Sequence, residues 1–138
     1  MERRIAQAEL RKGNFVIDYD KGIKRVRILS VQSEPAGSWP TVSFEGEFYY
    51  NYVGYLTPIK ITEEWLERFG FTIKERWPAG GGNNYYREDR NIEVSVSGHH
   101  GIQINIKGES EPRYMIEYVH ELQNIYKELT GEELEYVE

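Results

Sequence analysis

Ile92-Glu93-Val94-Ser95-Val96-Ser97 and Ile102-Gln103-Ile104-Asn105-Ile106-Lys107, separated by Gly98-His99-His100-Gly101, form the stretch that decides the fold. Aliphatic β-branched residues take every second place in both runs, and polar residues fill the places between. A period of two puts the apolar side chains on one face of a strand. The runs therefore predict two half-buried antiparallel strands, with the His-Gly stretch as their hairpin connection. Upstream, Phe71, Ile73, Glu75 and Trp77 alternate with Thr72, Lys74 and Arg76, and residues 85–88 read as a further strand. An antiparallel sheet of about four strands is expected.

A helix is predicted on each side of this sheet. Thr62 is placed as an N-cap, with Glu63 and Glu64 in the first turn where the helix dipole favours carboxylates. Ile61 and Leu66 have the spacing of a hydrophobic staple, and Gly70-Phe71 that of a Schellman stop. Downstream, Met115, Tyr118, Val119, Leu122, Ile125, Tyr126 and Leu129 recur at three- and four-residue spacing. They predict a second helix opened by Pro112 and ended by Gly131. Both helices are expected on the β-branched face of the sheet.

The first part of the chain reads differently. Residues 14–19 and 25–31 are strand candidates around the turn Asp20-Lys21-Gly22, and 41–44 and 48–52 flank Glu45-Gly46-Glu47. Residues 33–40 read as a connection containing Trp39. Closely spaced short strands suggest a small SH3-like β-barrel or curled sheet. The fold class is α+β. Residues 1–58 form the small β subdomain and residues 59–138 the helix–sheet–helix subdomain, as one compact unit.

The chain has 138 residues, 39% hydrophobic and 14% aromatic, enough for a packed core and too apolar for disorder. With no cysteine there is no disulfide framework, thiolate metal site or Cys nucleophile, and a reducing cytoplasmic setting is expected. Met1-Glu2-Arg3-Arg4-Ile5-Ala6 lacks the apolar run of a signal peptide, and no segment approaches the ~20 apolar residues of a membrane span. A net charge of −6 disfavours binding to long nucleic acid. The charge is uneven: residues 1–27 are mostly basic and residues 111–138 mostly acidic. That asymmetry is an ordinary solvated surface, or it favours head-to-tail self-association or an anion site near the N-terminus.

Three segments carry a family likeness. They are Glu9-Leu10-Arg11-Lys12-Gly13-Asn14-Phe15-Val16, Ile61-Thr62-Glu63-Glu64-Trp65-Leu66-Glu67-Arg68-Phe69-Gly70-Phe71, and Tyr118-Val119-His120-Glu121-Leu122-Gln123-Asn124-Ile125-Tyr126-Lys127-Glu128-Leu129-Thr130-Gly131-Glu132-Glu133-Leu134. Together they resemble a family of short proteins encoded by Bacteroidetes phages, prophages and other mobile elements. The resemblance spans most of the chain, and its last segment is the most specific. It brings no catalytic residues. It implies an accessory phage protein in the host cytosol, a setting in which small non-catalytic proteins act in counter-defence, some by sequestering nucleotide immune signals.

The candidate binding residues have two readings each. Gly80-Gly81-Gly82-Asn83-Asn84 is a hairpin connection, or a backbone cradle that approaches a phosphate or base. It lacks the Gly-Lys-Ser/Thr ending of a P-loop. Its flanks, Trp77, Tyr86 and Arg87, together with Asn83 and Asn84, could stack on a base, read its edge and hold a phosphate. His99 is a polar hairpin tip or a ligand contact. Trp39 is read as exposed, and Tyr49, with Asn51, as the outward face of an aromatic strand. Ser95, Ser97, Gln103 and Asn105 share the polar sheet face, as a solvated surface, a ligand floor or a subunit interface. Adjacent His99 and His100 point to opposite strand faces, so no metal is expected, and no cofactor or catalytic constellation is apparent. The expected function is non-enzymatic sequestration of a small nucleotide-like anion, to which a homo-oligomer would be suited. The alternatives are a protein-docking module and weak DNA binding.

Overall fold

A computed structural model describes residues 10–18, 24–32, 40–47, 49–76, 82–87, 92–97, 101–106 and 114–137. The chain divides into two compact units. One comprises Met1–Lys60 with Tyr118–Asn124, the other Ile61–Glu117 with Ile125–Glu138.

The first unit contains β1 (Phe15–Asp18), β2 (Lys24–Gln32), β3 (Thr41–Phe44), β4 (Tyr50–Tyr52), one 3₁₀ turn (Val53–Tyr55) and β5 (Leu56–Thr57). They form an antiparallel sheet in the order β4-β3-β2-β1-β5. The edge strands β4 and β5 do not pair with each other, so the sheet is not closed. Its entry is set by Arg11-Lys12-Gly13-Asn14. Asn14 N–H donates to the Arg11 carbonyl at 3.2 Å, and Gly13 sits at φ 95°. Gly13 N–H then donates to the Ile28 carbonyl and Ile28 N–H to the Asn14 carbonyl, both at 2.8 Å. Two residues thus oppose one, a bulge whose first position needs the left-handed conformation glycine adopts without strain. Val16, Val26, Ile28, Val42, Phe44, Val53 and Leu56 form the core, with Leu10 at its margin.

Tyr118–Asn124, read from sequence as part of the second subdomain, belongs to this first unit. The reason is Gln123, which is fully buried. Its Nε2 donates to the Gly13 carbonyl at 2.7 Å, and its Oε1 accepts from Phe15 N–H at 2.9 Å. The pairing of β5 with β1 covers only Ile17 and Asp18. The carboxamide of Gln123 therefore acts as a further peptide unit on that edge, satisfying backbone groups that burial would otherwise leave costly. Asn14, also buried, donates to Asn124 Oδ1 at 2.9 Å, and Arg11 Nη2 donates to the Gln123 carbonyl at 2.7 Å.

The second unit contains α1 (Glu63–Arg68), β6 (Thr72–Arg76), β7 (Gly82–Arg87), β8 (Ile92–Ser97), β9 (Gly101–Ile106) and β10 (Tyr114–Ile116). The strands form an antiparallel meander, β10-β9-β8-β7-β6. Burial follows the expected alternation: Ile92, Val94 and Ile104 are buried, while Glu93, Ser95 and Gln103 are half-buried. The sheet has five strands, not about four. Tyr114–Ile116, expected at the start of the second helix, is β10, paired with β9 as Tyr114↔Ile104, Met115↔Gln103 and Ile116↔Ile102. Ile116 is buried and Met115 is 60% exposed, which is period two and not helical. The free edge of β9 supplies ladder partners that override the helical spacing of Met115. Pro112 lies outside the described residues.

Helix α2 (Val119–Thr130) begins later, capped by Glu121 Oε1, which accepts from Tyr118 N–H at 3.0 Å. It ends at Gly131, φ 77°, as the sequence predicts. Helix α1 has the expected ends. Thr62 Oγ1 accepts from Trp65 N–H at 3.4 Å, and Ile61 and Leu66 are buried. Phe71 N–H reaches the Leu66 carbonyl and Gly70 N–H the Glu67 carbonyl, the two bonds of a Schellman stop. Gly70 stands at φ 90°. Gly70→Ala should cost about 1 kcal/mol, the strain of a Cβ in the left-handed region. Thermal denaturation should show a fall of ~3 °C, and an unchanged melting point would remove this account of the stop.

Candidate functional site

The polar face of the second sheet is built by register. The cross-strand pairs Asn84↔Ser95 and Ser95↔Gln103, then Gln103↔Met115, form one row across four strands. Tyr86↔Glu93 and Glu93↔Asn105 form the next row, and Gly82↔Ser97 and Ser97↔Gly101 another. Directly opposed residues of antiparallel strands occupy register positions on one face. The strands thus bring Asn84 and Tyr86 into the same set as Ser95, Ser97, Gln103 and Asn105. Within it, Ser95 Oγ donates to Glu93 Oε1 at 3.0 Å. Glu93 places a carboxylate in a face otherwise rich in uncharged hydrogen-bonding groups, something the alternation alone gave no reason to single out.

The other members of the predicted constellation separate. Asn83 pairs with Val96 and Arg87 with Ile92, positions in the alternate set that includes buried Ile92 and Val94. Consecutive residues of a strand cannot line one face, so positions 86 and 87 are divided between the two. Gly82, Asn83 and Asn84, read as part of a connection, belong to β7. Trp39, Trp77 and His99 lie outside the described residues, as do Gly80 and Gly81.

Tyr49 and Asn51 turn out to serve the first unit's interior. Tyr49 packs against Phe44 with ring centroids 5.3 Å apart, and its hydroxyl oxygen is buried. Asn51 is buried opposite Val42 and donates to Asp18 Oδ1 at 3.0 Å. Among the described residues of this unit, the outward rings are Tyr52 and Tyr55, 43% and 52% exposed, with centroids 6.1 Å apart. Their spacing of three is the signal that sequence reading passed over. The 3₁₀ turn repeats every three residues, so side chains three apart eclipse one another.

His120 is fully buried and its ring stacks on Tyr118, centroids 6.1 Å apart. Among the described residues, no group of three or more His, Asp or Glu could hold a metal ion. No described helix is long and apolar enough to cross a membrane. Compared with protein-family models, curated proteins and solved structures, the chain has no match among them.

Proposed function

We propose that the chain is a non-catalytic accessory protein that binds and sequesters a small nucleotide-like ligand on the polar face of its second sheet. The observation that supports this is the cross-strand row Asn84–Ser95–Gln103, continued by Tyr86 in the adjacent row. Asn and Gln side chains both donate and accept, as the edge of a nucleobase requires, and a Tyr ring is a stacking surface. Ser and Asn are poor strand formers, which suits a role other than building the sheet. The phage-type setting implied by the sequence resemblance gives sequestration as the use of such binding. A two-fold oligomer would suit a symmetric ligand.

The test is a thermal-shift screen against linear and cyclic mono-, di- and trinucleotides. A ligand at roughly a hundredfold its Kd adds about 2.7 kcal/mol, a rise of ~8 °C for a domain of this size. Asn84→Ala and Gln103→Ala should remove the shift, whereas Arg87→Ala, in the other register set, should leave it. Folded protein that shifts with none of these ligands would overturn the reading.

A second reading rests on Tyr52 and Tyr55. We read the strand order β5-β1-β2-β3-β4, with a 3₁₀ turn between β4 and β5, as an SH3-like subdomain. Two exposed, adjacent tyrosines on it are suited to docking a protein segment. In that case nucleotides leave the melting point unchanged, and Tyr52→Ala with Tyr55→Ala abolishes capture of a protein partner.

A further inference from the structure

Glu93 lies on β8, the central strand of the second sheet, with two strands on either side. It belongs to the polar face and is half-buried. Its register partners are Tyr86 on β7 and Asn105 on β9, both uncharged. One carboxylate oxygen, Oε1, accepts from Ser95 Oγ at 3.0 Å, which restrains the side chain. Cations such as Arg27 and Lys127 stand beside other carboxylates, Glu45 and Glu133, but among the described residues none is paired with Glu93. Glutamate is a poor strand former, and withdrawing a charge from water costs free energy unless it is paired and hydrogen-bonded. A carboxylate held in the middle of a sheet face by one hydroxyl has acceptor capacity left over for a ligand.

On the sequestration reading, on which this rests, we infer that the base lying against this face is guanine and the ligand a guanine nucleotide. An ionised carboxylate only accepts, and it takes two parallel N–H donors. Guanine presents such a pair, N1–H and N2–H, on its Watson–Crick edge, with the O6 carbonyl beside them. Asn105, next in register to Glu93, and Gln103, in the row of Ser95, are residue types that supply an N–H to that carbonyl. Tyr86, on the other side of Glu93, is a residue type on which a base stacks. Adenine meets a carboxylate with one amino group and the N1 lone pair, and that lone pair is repelled. Hypoxanthine keeps N1–H but lacks the N2 amino group. The carboxylate also repels phosphate, so the base and not the phosphate lies against this row. An arginine side chain offers paired donors too, but it has no acceptor for the Asn and Gln amides.

The probes are GMP, IMP and AMP, with the cyclic dinucleotides of the same three bases, titrated calorimetrically into the full-length protein and its Glu93→Gln variant. In the parent, the guanine member of a set should bind at least about tenfold tighter than the hypoxanthine member, which lacks one hydrogen bond to a charged acceptor. The adenine member should bind more weakly still. Glu93→Gln replaces one acceptor by a donor, and a carboxamide matches N1 and N6 of adenine. The variant should therefore lose about tenfold towards guanine and gain towards adenine, a reversal that a change in stability does not produce. Equal binding of the three bases, or an unchanged order of preference in Glu93→Gln, overturns the guanine assignment and leaves sequestration standing. The same holds if these probes fail while another nucleotide shifts the melting point. Folded protein that binds no nucleotide in either experiment overturns both. Saturable binding of N-acetylarginine amide in their place, lost in Glu93→Gln, overturns guanine in favour of a protein segment.

Discussion

Gln123→Ala is expected to lower the melting point by ~10 °C. The side chain is fully buried and meets backbone groups of residues 13 and 15 at 2.7 and 2.9 Å. Truncation leaves the Gly13 carbonyl and the Phe15 N–H without this partner in a site closed to water. The Gly13 carbonyl still accepts from Arg27 Nε at 3.1 Å, so the cost falls mainly on the Phe15 N–H and on the lost packing of the side chain, about 3 kcal/mol together, which for a chain of this length corresponds to the stated shift. Gln123→Glu is the sharper control. It keeps the acceptor for Phe15 but turns a carboxylate oxygen towards the Gly13 carbonyl, and it buries a charge. It should therefore be no better than alanine at neutral pH. Amide exchange at Phe15 should quicken relative to its neighbours in β1 in Gln123→Ala, which removes its acceptor, and less so in Gln123→Glu, which keeps it. A Gln123→Ala protein that melts within ~2 °C of the parent would show that the carboxamide does not hold this edge.

Phe44→Ala should be the most damaging core truncation, at about 4 kcal/mol and ~12 °C. Phe44 is fully buried in the first unit's core and is the ring on which Tyr49 packs. Its removal opens a cavity in a single small sheet that has few other large side chains to collapse into the space. Phe44→Leu, which retains most of the volume, should cost about 1–2 kcal/mol. The pair also addresses Tyr49. If that ring serves the core, Tyr49→Ala lowers the melting point and leaves any nucleotide-induced shift intact. Chemical denaturation of the variants measures both costs, and a Phe44→Ala cost no larger than that of Phe44→Leu would contradict the packing account.

The two largest effects are thus expected in the first unit, whereas the sheet face proposed to bind belongs to the second. That separation is useful. Variants of Gln103 can be read for ligand binding without a large stability term, because Gln103 is only half-buried and Met115 beside it is exposed. Surface substitutions of that kind usually change stability by less than about 0.5 kcal/mol.

How much of this was legible in the sequence depends on range. The period-two runs of β8 and β9, their pairing, and the polar row Ser95–Gln103 follow from side-chain alternation, a property of a single strand. Helix α1 was equally legible: Thr62, the Ile61–Leu66 staple and Gly70 act within a few residues, and local chemistry sets all three. The register of β7 was not legible. Whether Asn84 or Asn83 joins the row of Ser95 changes with a slip of one residue, and only the full ladder fixes it. The strand at Tyr114–Ile116 was hidden for a related reason. Its residues also satisfy a helical stripe, and the edge of β9, distant in sequence, decides between the two. Gln123 was invisible for the strongest reason of all: a glutamine three residues from His120 looks like an ordinary helix residue. Only the tertiary structure brings it to the start of β1, 108 residues away and beyond the reach of β5, where its amide stands in for a missing peptide. The sequence by itself therefore determined the element types, the helix ends and the two-faced sheet, because these depend on neighbours along the chain. The structure alone decided the row that forms the candidate site and the residues that close the first unit, because hydrogen bonds between distant segments exist only after the chain has folded.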